Sequence, residues 1–261
     1  MWGWLIYFCA NFSMMVLQEE IKKAVLDFKA GFDKPFQLKG IFFDMDGVLF
    51  DSMRLHTKAW MQTFDEHNFP IPEEEIFLNE GSTALATVKR MYKKYRNEEV
   101  SAEFTEEFKV RKHKLMENYP DSPVMEHMPE LLASMTREGI DCWVVTGSAQ
   151  QILLGRLERE YRGSIFREKM ITAHDVSIGK PNPEPYLKAI KKSGYSVSQA
   201  IVVENAPMGI ESAKAAGLFV VAINTGPLDA QVLKEAGADI VLSGSRELAS
   251  VWPLIYGSLS E

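Results

Sequence analysis

One stretch decides the fold of this chain, and it reads Gly40-Ile41-Phe42-Phe43-Asp44-Met45-Asp46-Gly47-Val48-Leu49-Phe50-Asp51-Ser52. Its apolar start is short enough to be a buried strand, and it ends in two carboxylates two positions apart. Because ligands of open parallel sheets collect beyond the carboxyl ends of the strands, Asp44 is expected where a substrate would bind. A turn would bring Asp46 back over the same place. One carboxylate can then attack while the other moves protons, although two solvated acids at a strand end would show the same pattern.

Two further stretches carry groups suited to a phosphoryl group. A second apolar strand ends in Thr146-Gly147-Ser148, before a helix expected to begin near Ala149, and offers hydroxyl and backbone N–H groups to phosphate oxygens. The same turn could simply cap a helix. In Gly179-Lys180-Pro181-Asn182-Pro183, prolines stiffen the chain around Lys180. This lysine is either a fixed cation for a charged transition state or an ordinary solvated lysine.

A fourth stretch is an apolar strand from Ala200 that ends in Glu204-Asn205. A hard cation such as Mg²⁺ prefers oxygen ligands and would neutralise the carboxylates of Asp44, Asp46 and Glu204.

Taken in this order, the four stretches resemble the motifs of the haloacid dehalogenase superfamily, and Asp46 is typical of its phosphoryl-transferring members. The resemblance implies that Asp44 forms an aspartyl phosphate while Asp46 protonates the leaving oxygen and later activates water. It also implies that Thr146, the adjacent backbone amides, including those of Gly147 and Ser148, and Lys180 stabilise the phosphoryl oxygens. Mg²⁺ would be held by Asp44, the backbone carbonyl of Asp46, and Glu204 or Asn205.

The chain departs from this resemblance at Asn205, because relatives of the same subgroup have an aspartate there. The loss of one formal charge means either that Glu204 carries the metal or that the metal binds more weakly. A relic site without turnover is the alternative.

The order of elements predicts an α/β fold with a doubly wound parallel sheet. Strands are expected near Ile41, Val144, Ile171, Val202, Val220 and Ile240. Residues between Ser52 and Glu126 show only helical patterns, which indicates an inserted lid that resembles the helical cap of the β-phosphoglucomutase-like subgroup on a Rossmann-like core. We expect an N-terminal extension over 1–36, a core over 37–51 and 127–261, and a cap over 52–126.

Two cap residues are candidates for the site. His56 matches a histidine that assists acid–base chemistry in the mutases, although a lone histidine on a helix is often just a satisfied polar group. The loop Asn79–Ala84 is expected to select the substrate. Mutase relatives carry an arginine where this chain has Ala84, and the loop offers Glu80 instead. We therefore expect hydrolysis, with Glu80 reaching toward the metal's hydration shell or else simply exposed.

Length and composition limit the remaining classes. A chain of 261 residues can bury a substantial core, and its net charge of −7 argues against nucleic acid or an anionic membrane as partner. The two cysteines, Cys9 and Cys142, form no disulfide framework, which favours a reducing cytoplasm. We expect a cytoplasmic monomer whose partner is a small phosphorylated substrate.

The N-terminal segment from Met1 to Val16 is apolar, yet it lacks the basic start of a signal peptide and is short for a membrane span. Three interpretations remain: translation beginning near Met14, packing against the core, or a membrane anchor. An amphipathic helix is predicted next, from Gln18 to Ala30, with Ile21, Val25 and Phe28 on one side.

The predicted function is a Mg²⁺-dependent phosphohydrolase that acts on a sugar phosphate or on inorganic pyrophosphate. The alternative is a β-phosphoglucomutase that interconverts β-glucose 1-phosphate and glucose 6-phosphate. A catalytically weak phosphate-binding module is the alternative from another class, because of Asn205. The spacing of Asp44 and Asp46 and the cap insertion argue against a phospho-accepting signalling receiver.

Overall fold

A six-stranded parallel sheet forms the centre of the computed structural model, which describes residues 2–33, 35–148 and 151–260. Of residues 2–13 only the helical backbone is described. The strands are β1 (Gly40–Phe43), β2 (Asp141–Val145), β3 (Met170–Ile171), β4 (Ala200–Glu204), β5 (Phe219–Ile223) and β6 (Ile240–Leu242). Their spatial order is β3-β2-β1-β4-β5-β6, and every neighbouring pair is parallel. The predicted doubly wound sheet is therefore confirmed, and β1 and β4 lie side by side at its centre.

The helices are α1 (Trp2–Lys29), α2 (Met53–Glu66), α3 (Glu73–Leu78), α4 (Ala84–Arg96), α5 (Ala102–Met116), α6 (Met128–Arg137), α7 (Gln151–Glu160), α8 (Glu184–Ser193), α9 (Pro207–Ala215), α10 (Ala230–Glu235) and α11 (Ser245–Ser260). The predicted start of α7 near Ala149 lies outside the described residues.

Both faces of the sheet are buried because successive strand side chains point to opposite sides. On β1, Ile41 and Phe43 belong to the apolar cluster that includes residues of α1, α6, α7 and α11. Phe42 belongs to the opposite cluster, with residues of α8 and α9. Each fully buried phenylalanine stabilises the fold by roughly 1.5–3 kcal/mol. This burial on both sides holds the end of β1 in a fixed position.

Helices α2 to α5 form the inserted cap, as predicted, and they have an aromatic core of their own. Trp60, Phe64, Phe69, Tyr92 and Phe108 are buried together, and α5 packs against both α2 and α4. The two connections to the core run side by side, since the Asp51 N–H donates to the Pro123 carbonyl at 2.9 Å. The cap thus has an apolar core of its own and joins the rest of the protein through two neighbouring connections.

Helix α1 is longer than the helix predicted over Gln18–Ala30, because the apolar run before Gln18 continues the helix without a proline. Ile21 and Val25 are fully buried, and α1 packs against α11. Met14 and Val16 are exposed to 41% each, while Leu17 packs against the core; the side chains of residues 1–13, on which the three interpretations of the N-terminal segment depend, lie outside the described residues. No helix in the described part of the chain is long and apolar enough to cross a membrane.

Candidate active site

The two aspartates predicted as catalytic lie where β1 ends. The backbone N–H of Asp44 donates to the Val203 carbonyl at 3.0 Å, and its side chain is 4% exposed. Gly47 adopts φ +78°, which lets the chain turn sharply after Asp46. The Asp46 carboxylate accepts a hydrogen bond of 2.6 Å from the Ser52 hydroxyl. A buried acid and a partly exposed acid therefore face the same cavity.

Lys180 donates hydrogen bonds to groups at the ends of three strands, β1, β2 and β4. Its Nζ donates to Asp44 Oδ1 at 2.5 Å, to Glu204 Oε1 at 2.6 Å and to the Val145 carbonyl at 3.0 Å. The residue is only 2% exposed. Burial by itself lowers the pKa of Lys180, but Asp44 and Glu204 outweigh it and hold the pKa above its ordinary value. Lys180 is thus a fixed, permanently charged group beside Asp44.

The pKa of Asp44 is raised to about 7, chiefly because the carboxyl group is buried. Lys180 lowers this pKa, while Glu204 and Asp46 raise it. A second cation near Asp44 would favour the ionised form, which is the form that attacks as a nucleophile.

Both carboxylate oxygens of Glu204 are hydrogen-bonded within the protein. Oε1 accepts from Lys180 and from the Tyr186 hydroxyl at 2.9 Å, while Oε2 accepts from the backbone N–H groups of Asn205 at 3.0 Å and Ala206 at 3.3 Å. Glu204 is fully buried. In this arrangement Glu204 orients Lys180, and a metal-ligand role for it stays a prediction.

Asn205 has an oxygen that suits a metal. Its side chain is 6% exposed, and Oδ1 has no hydrogen-bond partner among the described residues. Its Nδ2 donates to Glu80 Oε1 at 3.2 Å. Mg²⁺ takes one or two carboxylates together with carbonyl oxygens and waters, so Asp44, the Asp46 carbonyl and Asn205 Oδ1 form a suitable ligand set. In the described ranges no group of three or more His, Cys, Asp or Glu side chains is arranged to hold a metal ion, and Asn205 is not of these types.

His56 lies over Asp46, as its position on the first cap helix suggested. Its Nε2 is 3.4 Å from Asp46 Oδ1, and its Nδ1 is 3.2 Å from Lys112 Nζ on α5. Burial and then Lys112 lower the pKa of His56 to about 4, so the imidazole is neutral near pH 7. A neutral imidazole can donate a hydrogen bond to Asp46 when this acid is ionised and can accept one when it is protonated.

Lys112 was not predicted from the sequence. Its pKa is lowered to about 8, mainly by burial, and Asp46 and Glu80 partly oppose this. A signal was present, since Lys112 is four residues after Phe108 and three before Leu115, both buried residues of α5. This spacing indicates that Lys112 faces the interior of the cap, where a lysine is uncommon.

The cap loop lies directly against the core. The Ser82 hydroxyl donates to the Lys180 carbonyl at 3.2 Å, and Arg90 of α4 contacts the same hydroxyl at 3.4 Å and also donates to Asn79 Oδ1. Burial, followed by the charge of Asp44, raises the pKa of Glu80 well above its ordinary value. Glu80 therefore faces the carboxylates of the core.

Ala84 stands where mutase relatives carry an arginine, but other positions of the cap bring cations to the cavity. Ala84, Arg90 and Lys112 all line the same cavity of about 1400 Å³, together with Asp44, Asp46 and Lys180. The cap thus supplies positive charge from α4 and α5, since tertiary packing brings these helices to the loop that carries Glu80.

The turn after β2 also reaches this cavity, through Thr146, Gly147 and Ser148. Thr146 is 5% exposed, and its hydroxyl accepts a hydrogen bond from the Ser148 N–H at 3.0 Å. A Cβ atom on Gly147 would lie 3.2 Å from the Gly81 carbonyl oxygen, so the cap loop approaches the core closely at this glycine. Eight of the ten predicted site residues therefore line one cavity, and the other two, Glu204 and Asn205, do not line it but contact Lys180 and Glu80, which do.

Comparisons with known proteins agree with this geometry. Residues 41–223 match the model of the haloacid dehalogenase-like hydrolase family. The chain is 32% identical over 226 residues to validoxylamine A 7'-phosphate phosphatase of Streptomyces hygroscopicus subsp. limoneus, covering 83% of this chain and 98% of that protein. It is 29% identical over 212 residues to hexitol phosphatase A of Escherichia coli, covering 80% of this chain and 93% of that protein.

A solved structure from Bacteroides vulgatus, described as a candidate β-phosphoglucomutase, is 34% identical with a TM-score of 0.88, covering 94% of this chain and 100% of that one. The matched range, residues 41–223, includes the strand-end acids, the buried lysine and the helical cap. The chain belongs to the haloacid dehalogenase-like hydrolase family.

Proposed function

We propose that this enzyme is a Mg²⁺-dependent phosphohydrolase that acts on a small phosphorylated metabolite through an aspartyl phosphate at Asp44. One observation carries the proposal: a buried carboxylate at the end of β1 is 2.5 Å from the amine of Lys180 and opens onto a cavity shared by core and cap. The hexitol phosphatase and the validoxylamine A 7'-phosphate phosphatase named above support the phosphatase class.

In the first half-reaction, an oxygen of Asp44 attacks phosphorus in line, and the bond from phosphorus to the leaving oxygen breaks. Asp46 gives its proton to that leaving oxygen. Lys180 and the backbone N–H groups after Thr146 stabilise the charge on the phosphoryl oxygens. When bound, Mg²⁺ would neutralise part of the charge on the phosphoryl group and on the surrounding carboxylates.

In the second half-reaction, Asp46 takes a proton from a water molecule, which attacks phosphorus and releases phosphate from Asp44. The neutral imidazole of His56 remains next to Asp46 and keeps this carboxylate pointed at the cavity. The cap covers the site, so bulk water reaches the aspartyl phosphate only when the cap opens.

The cavity volume favours a sugar phosphate over pyrophosphate as substrate. At about 1400 Å³ the cavity exceeds the roughly 300–1000 Å³ of ordinary small-molecule pockets. A substrate with a hydroxylated body would fill this space better than two phosphoryl groups, and Lys112 could bind oxygen atoms of that body.

The test is phosphate release from a panel of hexose phosphates, polyol phosphates, an aryl phosphate and inorganic pyrophosphate, with Mg²⁺ or with a chelator. We expect release that depends on Mg²⁺, highest for a sugar or polyol phosphate. Phosphorylated protein trapped by rapid acid quench should carry the group on Asp44. No release from any substrate would support a binding module instead.

A β-phosphoglucomutase is the second candidate, and the similarity to the Bacteroides vulgatus structure favours it. Conversion of β-glucose 1-phosphate to glucose 6-phosphate would identify it. We expect no such conversion, because Ala84 stands in the cap loop where mutase relatives carry the arginine for the second phosphate.

We further propose that the enzyme works as a cytoplasmic monomer with the domain bounds expected from the sequence. The free thiol of buried Cys142 supports a reducing compartment. Light scattering after gel filtration would test the monomer, and limited proteolysis near Tyr119–Pro123 would test the cap boundary.

A further inference from the structure

We infer that Glu80 brings from the cap a carboxylate that completes the metal site at Asn205, so that Mg²⁺ binding and cap closure stabilise each other. The inference rests on the proposed function, because it concerns the metal of the same reaction.

Asn205 is held in one place. It follows β4, it is 6% exposed, and Gly47 of the turn after β1 packs against its amide nitrogen so closely that a Cβ atom there would overlap it. The amide oxygen is buried and has no hydrogen-bond partner in the part of the chain that the structure describes. A buried carbonyl oxygen without a partner costs free energy unless a ligand supplies the missing contact.

The other end of the same amide contacts the cap. Asn205 Nδ2 donates to Glu80 Oε1 at 3.2 Å, across the boundary between the two domains. The orphaned oxygen and the cap carboxylate are therefore neighbours, joined by one rigid amide group. A cation bound to Asn205 Oδ1 would be close to Glu80 and would favour the ionised form of this carboxyl group.

The acids of the core are already engaged. One oxygen of Asp44 and one of Glu204 share the charge of Lys180, and Asp46 accepts from Ser52. Asn205 itself contributes no charge. Glu80 adds the negative charge that the core does not supply at this position, either as a direct ligand or through a water molecule of the metal's hydration shell.

Glu80 reaches the site only while the cap loop lies on the core. Ser82 bonds to the Lys180 carbonyl, and Arg90 contacts Ser82, so the loop is held in this closed arrangement. A ligand that binds one arrangement better than another shifts the equilibrium toward the first. By reciprocity, a closed cap must then bind Mg²⁺ more tightly than an open one.

The experiment measures the Mg²⁺ dissociation constant by titration calorimetry without substrate. Glu80→Gln keeps the shape and removes the charge, and it should weaken Mg²⁺ binding about 10- to 100-fold. The matched control is Glu106→Gln, which removes a cap carboxylate on the same cavity that pairs with Lys109 and leaves Asn205 untouched. The control should bind Mg²⁺ as the wild type does.

A double variant makes the test independent of any loss of folding in the single one. Glu80→Gln with Asn205→Asp exchanges the amide and the carboxylate across the same contact, and it should restore Mg²⁺ affinity.

Amide hydrogen exchange in residues 79–83 gives the second measurement. Mg²⁺ should slow this exchange in the wild type but not in the double variant, whose acid belongs to the core.

Equal Mg²⁺ affinity in Glu80→Gln and wild type would overturn the inference and leave the proposed function standing. Failure of the double variant to recover affinity would also overturn it. If the wild type binds no Mg²⁺ at all, metal dependence fails, and the proposed function loses its cofactor together with this inference.

Discussion

Replacing Lys112 by methionine should make the protein more stable and less active. Lys112 Nζ contacts His56 Nδ1 at 3.2 Å and forms no ion pair with a carboxylate among the residues described. Methionine retains much of the apolar stem and removes the buried charge. The variant therefore measures separately how much this cation lowers the stability of the fold and how much it contributes to activity.

The magnitude follows from the pKa of Lys112. A pKa that falls from 10.5 in the unfolded chain to about 8 in the folded protein corresponds to a penalty of roughly 3 kcal/mol. The ring of Trp60, whose centroid is 4.9 Å from Nζ, offsets roughly 1 kcal/mol by a cation–π contact. We expect Lys112→Met to raise the free energy of unfolding at pH 7 by about 2 kcal/mol and Tm by about 5 °C.

The effect should depend on pH in one direction. Because the folded protein loses this proton at a lower pH than the unfolded chain, the penalty is complete below about pH 8 and disappears toward pH 10.5. The difference between variant and wild type should therefore shrink as the pH rises through this window. Urea unfolding at pH 7 and pH 10 measures it.

The control is Lys109→Met, one turn earlier on α5, whose lysine is 44% exposed and pairs with Glu106. An exposed ion pair of this kind contributes little, so stability should change by less than about 1 kcal/mol. The phosphatase activity of Lys112→Met should fall, while that of Lys109→Met should fall less. A loss of stability in Lys112→Met at pH 7, or an equal effect at pH 10, would refute the reasoning.

Three further predictions concern the core. Asp44→Asn should lower kcat by at least about 10³-fold with the fold intact by circular dichroism, because it removes the nucleophile; a smaller loss would contradict the mechanism. Lys180→Met should reduce the free energy of unfolding by about 3–5 kcal/mol at pH 8, since it leaves two buried carboxylates unpaired. The reduction should be smaller at pH 5, where Asp44 takes up a proton, and an equal reduction at both pH values would contradict this. Gly209→Ala should lower kcat because its Cβ atom would overlap the carboxylate of Glu204 and displace Lys180 with it; unchanged kinetics would show that Glu204 does not orient Lys180.

The strand-end motifs could be predicted because each is local. Four residues of β1 are buried on both faces, so the apolar run before Asp44 could only be a strand, and its polar end could only meet the ends of neighbouring parallel strands. The same reasoning located Asn205 after β4, whereas Lys180 was named from the prolines around it and from the resemblance to the family. It did not reveal that Glu204 bonds to Tyr186, because the tyrosine is on a helix 18 residues away.

The cap shows the opposite case. Its helices were predicted from their apolar spacing, and His56 and Glu80 were named from their positions in the chain. That Lys112 stands behind His56, 56 residues later, depends on how α5 packs across α2. Periodicity identifies the buried face of a helix but not the residue that it meets, so the positive charge in the cap was missed.

The sequence alone thus determined the order of strands and helices, the pair of carboxylates after β1 and the presence of a lid, because local patterns of burial and turn residues control them. Only the tertiary structure decided which groups touch: Lys180 between Asp44 and Glu204, Glu80 against Asn205, and Lys112 against His56. These contacts join residues far apart in the chain, and their energies depend on burial and on distances of a few ångströms. Neither quantity is set before the cap and the sheet have packed together.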